Sequence, residues 1–500
     1  MERKKIIVIG AGFSGLSAAS FLAKAGYDVE VYEKHAQLGG RARKMQLNGF
    51  TFDMGPSWYW MPDVFEHFFR AFGKTPADFY NLIRLDPSYR VYFEDQSFWD
   101  IPAGAEKLGN LLDQYEKGAS KQLKHFLEDA QKKYQIGMSD MVYKPGLSVM
   151  EFISWEVVKN GLKMDLFSSF SKLVRKYFSH PKIIELLEFP VLFLGAKPEN
   201  TPALYSLMNY ADIALGTWYP EGGMHKIVEA MVSVAESQGV KFITGANVKE
   251  IVVEENRAVG IALEGGLVHK ADAVVAAADY HHVEQNLLQP KFRNYNQEYW
   301  ESRTMAPSSL LFYVGLDREI PDLQHHNLFF DAPFNQHAKE IYDNPAWPEN
   351  PLFYLSATSK TDKAVAPEGG ENLFFLIPLA PGLQGDDETM REAYFNILVN
   401  RLEAHTGINI KDHVTAFKSY AVKDFKEDYN AFKGNAYGLA NTLKQTAILK
   451  PKMINKKLDN LFYCGQLSVP GPGVPPSLIS GEIIAGIVNE KLNEYETALR

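Results

Sequence analysis

The sequence predicts an α/β fold, a Rossmann-type sheet that inserted segments interrupt, and three observations predict it. Ile6-Ile7-Val8-Ile9 is an apolar, β-branched run of the kind that a strand buried on both faces requires. It leads directly into the glycine turn Gly10-Ala11-Gly12-Phe13-Ser14-Gly15 and then into small apolar residues at helical spacing, Leu16 to Ala25. Far downstream, Ala271-Asp272-Ala273-Val274-Val275-Ala276-Ala277-Ala278-Asp279 is another buried-strand run that ends on an acid. It reads as the chain returning to the first sheet after an antiparallel excursion.

A chain of 500 residues exceeds one ordinary core and implies two or three packed units. Its 46% hydrophobic and 23% charged content excludes disorder and collagen-like repeats. A net charge of −9, with no Lys/Arg block, argues against nucleic acid as a partner. One cysteine, Cys464, excludes an internal disulfide and a thiolate metal cluster. No apolar run approaches the roughly 18 residues of a membrane span. Arg3, Lys4 and Lys5 precede a strand rather than the core of a signal peptide. The expectation is a cytoplasmic protein.

Each part of the first forty residues has a physical role. Gly10 permits the tight turn, Gly12 lets the backbone approach a pyrophosphate, and Gly15 lets helix pack on strand. The helix start offers free N–H groups and partial positive charge to phosphates. Tyr27 to Glu33 reads as the second strand, and Glu33 at its end would accept ribose hydroxyls. A dinucleotide site follows. Beyond it come Lys34, Leu38-Gly39-Gly40-Arg41-Ala42-Arg43 and Asp53-Met54-Gly55-Pro56-Ser57. A double glycine and an arginine pair directly after the ribose acid resemble flavoproteins of the glutathione-reductase-like lineage, which implies FAD. In that resemblance the glycines bring the chain under the cofactor, Arg41 or Arg43 reaches its phosphates or flavin edge, and Gly55 to Ser57 form a loop onto the flavin.

Ala103 to Lys133 is charged and helical in pattern, and Leu162, Leu166, Phe170, Leu173 and Tyr177 share one helical face. With Lys172, Arg175 and Lys176 beside it, that face reads either as a membrane contact or as a core-facing stripe with a solvated basic side. Trp218 to His225 breaks at Pro220 and Gly222-Gly223, then opens a helix, Ile227 to Ala235. Short strands are expected at Lys241–Thr244, Val248–Glu254 and Ala258–Leu263. Residues 280–420 alternate strands and helices with no dinucleotide signal. His325-His326 is no metal pair, because neighbours on a strand point to opposite faces and no third ligand stands at spacing. No G-x-S-x-G elbow supports a hydrolase. Near the end, Asn460 to Gln466 is a strand into a turn, and Pro470-Gly471-Pro472-Gly473-Val474-Pro475-Pro476-Ser477 opens a small-residue helix. Aimed at a flavin's pyrimidine edge, that helix start would stabilise the negative charge of reduction.

Together these segments resemble the bacterial phytoene desaturase family, FAD-dependent carotenoid desaturases within the flavin amine oxidase-like superfamily. The match also rests on Phe193-Leu194-Gly195-Ala196-Lys197-Pro198, Pro202-Ala203-Leu204-Tyr205, Ala366-Pro367-Glu368-Gly369-Gly370, Gly434-Asn435-Ala436-Tyr437-Gly438 and Gln445. Many members carry Thr-His-Pro-Gly where this chain has Ser468-Val469-Pro470-Gly471, so no histidine role transfers there.

The resemblance implies an FAD domain of residues 1–90, 216–284 and 421–500, a helical substrate and membrane-contact region of 91–215, and a substrate domain of 285–420. Besides the fingerprint residues, it places Val248, Gly465, Gln466, Gly473, Val474 and Pro475 at the cofactor. It implies removal of hydride and vicinal proton from an acyclic C40 carotenoid, phytoene first, toward neurosporene or lycopene. Asp53 and His225 are candidates for the proton acceptor, each with the alternative of holding a loop. Trp58-Tyr59-Trp60 suits an aromatic tunnel or plain core. An insoluble substrate implies peripheral attachment to the inner face of the cell membrane, and oxygen or a quinone as electron acceptor. A later step, such as 3,4-desaturation of a hydroxylated carotenoid, a carotenoid isomerase, and a non-enzymatic prenyl-lipid carrier are the alternatives.

Overall fold

The structure is a computed structural model that describes residues 3–148, 151, 168–192, 195, 197–442 and 444–499. Its first layer is a five-stranded parallel sheet. The order is Leu461–Tyr463, Ala273–Ala276, Lys5–Ile9, Asp28–Tyr32, Lys241–Ile243. Lys5–Ile9 pairs on both edges, Ile7 opposite Val274 on one side and Glu30 on the other. Ile6, Ile7 and Val8 are fully buried, as a strand covered on both faces must be.

The helix Phe13–Lys24 lies between this sheet and the long helix Val474–Leu499. Small residues permit the approach: a Cβ on Gly481 would stand 2.4 Å from the Ser14 carbonyl oxygen, and the Ser17 hydroxyl donates to the Leu478 carbonyl at 2.7 Å. Three antiparallel strands, Val248–Glu254, Arg257–Leu263 and Val268–Lys270, form the excursion before the return strand.

The second layer is a seven-stranded mixed sheet in the order Val414–Tyr420, Ser308–Leu316, Glu371–Leu379, Phe353–Ser356, His326–Phe330, Tyr89–Phe93, Phe98–Ile101. Its single parallel pair joins His326–Phe330 to Tyr89–Phe93. The region 91–215, expected to be helical, therefore begins with strands of this sheet. Only after them come the helices Ala105–Leu112 and Ala119–Ile136.

Of the two readings of the amphipathic face, its described part takes the core-facing one. Phe170, Leu173 and Val174 of the helix Phe170–Tyr177 are buried in the core, while Lys172, Arg175 and Lys176 are exposed. Leu162 and Leu166 lie outside the described residues, as do Phe193, Leu194 and Ala196. Among the described residues no helix is long and apolar enough to cross a membrane.

Candidate active site

A cavity of about 410 Å3 opens where the parallel strands end, the crevice in which such sheets bind ligands. Its phosphate end is built by the first glycine turn. Gly10 has φ +98° and its N–H donates to the Tyr32 carbonyl, so the chain reverses tightly off the strand. A Cβ on Gly15 would meet the Gly10 carbonyl oxygen at 2.0 Å, so only glycine lets the helix sit this close. Gly12 differs: nothing lies within 4 Å of the place its Cβ would take, and that open space is the cavity. No side chain caps the helix and no acid occupies its first turn, which leaves its N–H groups for an anion.

Opposite stands Arg41, which lines the cavity with a buried Nε that has no hydrogen-bond partner. Its guanidinium stacks 4.8 Å over the Tyr429 ring. Nη2 makes one long bond, to the Asn435 carbonyl at 3.4 Å, so a cation with an unpartnered nitrogen shares this cavity with free N–H groups, which fits a pyrophosphate. Glu33 lines the cavity while its carboxylate accepts from the Ala11 N–H at 2.9 Å and the His35 N–H at 3.0 Å. Those bonds fix the carboxylate at the strand end and leave lone pairs for a ribose. The donor set fits FAD.

Of the residues expected at a cofactor, Gly10, Gly12, Phe13, Ser14, Lys34, Gly40, Gly55, Pro56, Ser57 and Val248 also line this cavity. At its far end so do Gly465, Gln466, Gly473, Val474 and Pro475, where the helix Val474–Leu499 begins. Ala11 acts through its N–H on Glu33, and Gly15 through packing. Arg43 does not line the cavity; it pairs with Asp428 at 2.7 Å and donates to the Tyr429 hydroxyl.

Asp53 and His225 are brought together, but neither lines the cavity. The Asp53 carboxylate accepts the Met224 N–H at 2.8 Å and the His225 N–H at 3.1 Å, which caps the helix His225–Ser237. Burial pushes it up to about 6. His225 Nδ1 lies 2.8 Å from the Ala42 carbonyl oxygen. These bonds tie the helix to the loops on either side of Ala42 and Asp53.

Sequence reasoning missed the wall made by Asp428, Tyr429 and Asn430, which arrives from the end of the helix Val422–Tyr429. It also missed Asp279, although that acid ends a buried strand just as Glu33 follows one. Asp279 caps the next turn through the His282 N–H, and burial raises its carboxyl.

The other half of the cavity is apolar. Met54, Trp58, Trp60, Leu311, Phe374 and Leu376 line it, and Tyr59 between the two tryptophans is instead fully buried, its hydroxyl paired with that of Tyr80. Trp58 stacks on His326 at 4.1 Å, and His326 Nδ1 pairs with the Tyr354 hydroxyl at 2.7 Å. Tyr354, Leu376 and Tyr437 also wall a second, smaller cavity, an apolar arm lined by Phe189, Leu328, Phe330, Phe334, Ala338 and Ile341. His337 also borders this arm. Its Nε2 bonds the Pro378 carbonyl and its Nδ1 accepts the Leu352 N–H, so both ring nitrogens are engaged.

The family model for flavin containing amine oxidoreductases matches residues 13–489. A carotenoid 3,4-desaturase of Haloarcula japonica is 40% identical over 493 residues, covering 98% of this chain and 99% of its own. A zeta-carotene-forming phytoene desaturase of Myxococcus xanthus is 31% identical, covering 97% and 93%. The solved cyclohexylamine oxidase of Brevibacterium oxydans shares the fold at TM-score 0.61 and 14% identity, covering 98% of this chain and 100% of its own. With a cavity that fits FAD and a match across nearly its whole length, the chain belongs to the flavin containing amine oxidoreductases and, within them, is an FAD-dependent oxidoreductase of the carotenoid desaturase family.

Proposed function

We propose that this protein desaturates phytoene, an acyclic C40 hydrocarbon, through successive double bonds toward neurosporene or lycopene. The observation that carries the substrate is the apolar cavity that shares Tyr354, Leu376 and Tyr437 with the cofactor cavity and is bordered by a histidine with both nitrogens already engaged. A hydrocarbon offers no hydrogen-bonding handle, so shape and apolar contact must orient it.

Bound FAD supplies the acceptor for a hydride from an allylic carbon. The chain's own residues do the rest. Arg41 and the N–H groups after Gly12 would hold the pyrophosphate, and Glu33 would hold the ribose. The start of the helix Val474–Leu499, which lines the cavity, would favour negative charge on a reduced cofactor there. Trp58, Trp60 and Phe374 press the polyene into register and exclude water. The Glu33 and Gly39–Arg43 arrangement supports a glutathione-reductase-like origin for the nucleotide part. The insolubility of the substrate supports peripheral attachment at the inner face of the cell membrane and a quinone or oxygen as final acceptor.

A second reading, 3,4-desaturation of a hydroxylated carotenoid, is favoured by the likeness to the Haloarcula protein. Expression in a host that makes phytoene and nothing later separates them. Coloured neurosporene or lycopene supports the first reading. Persistent phytoene beside a folded, FAD-loaded protein refutes it, and hydroxylated carotenoids are then the substrates to supply.

A further inference from the structure

Lys450 follows the short turn Ala447–Leu449 and is 3% exposed. Its Nζ is buried and has no hydrogen-bond partner, and the same holds for Oδ1 of Asn441. The two side chains meet at the proline-glycine loop. A Cβ built on Gly471 would stand 3.3 Å from Lys450 Nζ and 3.1 Å from Asn441 Oδ1. The next residues, Pro472 and Gly473, are cavity wall at the start of the helix Val474–Leu499. Lys450 does not line the cavity itself; it sits behind the loop that forms this end of it.

A buried ammonium needs a counter-charge, and the described residues provide none. Lys444 on the same segment is exposed, and Lys452 turns its Nζ to the carbonyls of Gly146, Leu147 and Ile448. The loop 470–476 carries no titratable side chain. Burial alone acts on the Lys450 amine and draws it down to about 7. The group thus changes charge easily, and its missing counter-charge is what a reduced flavin would supply.

We propose that Lys450 takes up the proton that balances reduction of the cofactor. The CH–CH unit becomes C=C by losing a hydride and a vicinal proton. The hydride carries two electrons to the flavin and leaves it one unit more negative. The proton ends on Lys450, which passes from amine to ammonium. The inference rests on FAD and is independent of which carotenoid is oxidised.

Redox titration of the holoenzyme with dithionite and a reference dye, between about pH 7.5 and about pH 9, tests it without carotenoid. Wild type is expected to take up two protons per two electrons, one on the flavin and one on Lys450. Lys450→Met should take up one, and its flavin should be harder to reduce. Lys450→Arg, charged throughout, should also take up one but keep a higher potential than Lys450→Met. One proton in wild type overturns the proposal even where the variants fail to fold. So do two protons in a Lys450→Met enzyme that retains its visible flavin spectrum.

Discussion

Replacing Gly12 and Gly15 by alanine, one at a time, separates cofactor contact from helix packing. Gly12 has φ −74° and ψ 178°, angles open to any residue, and its Cβ would meet no protein atom within 4 Å. Gly12→Ala should therefore leave the flavin-free protein within about 0.5 kcal/mol of wild type. The same methyl stands where a pyrophosphate must approach, so FAD affinity should fall at least about tenfold, or about 1.4 kcal/mol. At Gly15 the order reverses. The new Cβ begins 2.0 Å from a backbone oxygen and 3.2 Å from the Ala277 Cβ. Relief requires the helix start to retreat by about 1 Å, an overpacking cost of about 1–3 kcal/mol in the flavin-free protein itself. Urea melts of the apoproteins give the first quantity, and quenching of FAD fluorescence on titration gives the second. The assignment of roles is refuted if Gly12→Ala binds FAD like wild type, or if Gly15→Ala unfolds at the wild-type urea concentration.

Three further outcomes are expected. Arg41→Met removes a half-buried cation with an unpartnered Nε and one long bond to Asn435; the apoprotein should be no less stable, while FAD release should quicken and its Kd rise by about 1.5–3 kcal/mol, read by stopped-flow fluorescence. Asp53 binds its proton more tightly folded than unfolded, because burial lifts it to about 6. Its contribution is present below about pH 4 and lost as pH rises through 6, a decline of about 3 kcal/mol in urea melts that Asp53→Asn should remove. Ala338→Phe narrows the arm beyond Tyr354; FAD content should stay at the wild-type level while carotenoid turnover falls, and unchanged turnover by pigment chromatography would remove the arm from the substrate path.

What could be read ahead was local. The strand, the turn from Gly10 to Gly15 and the acid at 33 act through residues within a few turns of each other, so their spacing alone carries the geometry. The Arg41 partner ring, Tyr429, comes from a helix far along the chain and has no signal of its own. Asp279 had one, a buried strand ending on an acid, which was read for topology rather than for the site. The face through Phe170 shows the limit of periodicity. An amphipathic helix with a basic flank satisfies a core and a membrane equally, and burial of Phe170 and Val174 decides for the core in the described part. Asp53 and His225 likewise stand close to the cofactor segments in sequence, yet their hydrogen bonds tie helix to loop.

The parallel sheet is closed by strands made long after its centre. The Ser17 hydroxyl finds its acceptor 461 residues later, and Ala276 waits for Tyr463 before its edge is covered. During synthesis the outer edge of the strand Ala273–Ala276 therefore stays uncovered until Leu461–Tyr463 has been made, and a bare apolar edge is an invitation to other chains. The flavin end of the cavity does not exist until Gly465 to Ser477 have emerged. Cofactor loading is thus a late event, and a nascent chain has no means of being rescued by FAD until nearly all of this sequence is out. A ribosome-stalled chain ending at Asn455 should retain no flavin, and yield in a cell should follow chaperone supply more closely than flavin supply.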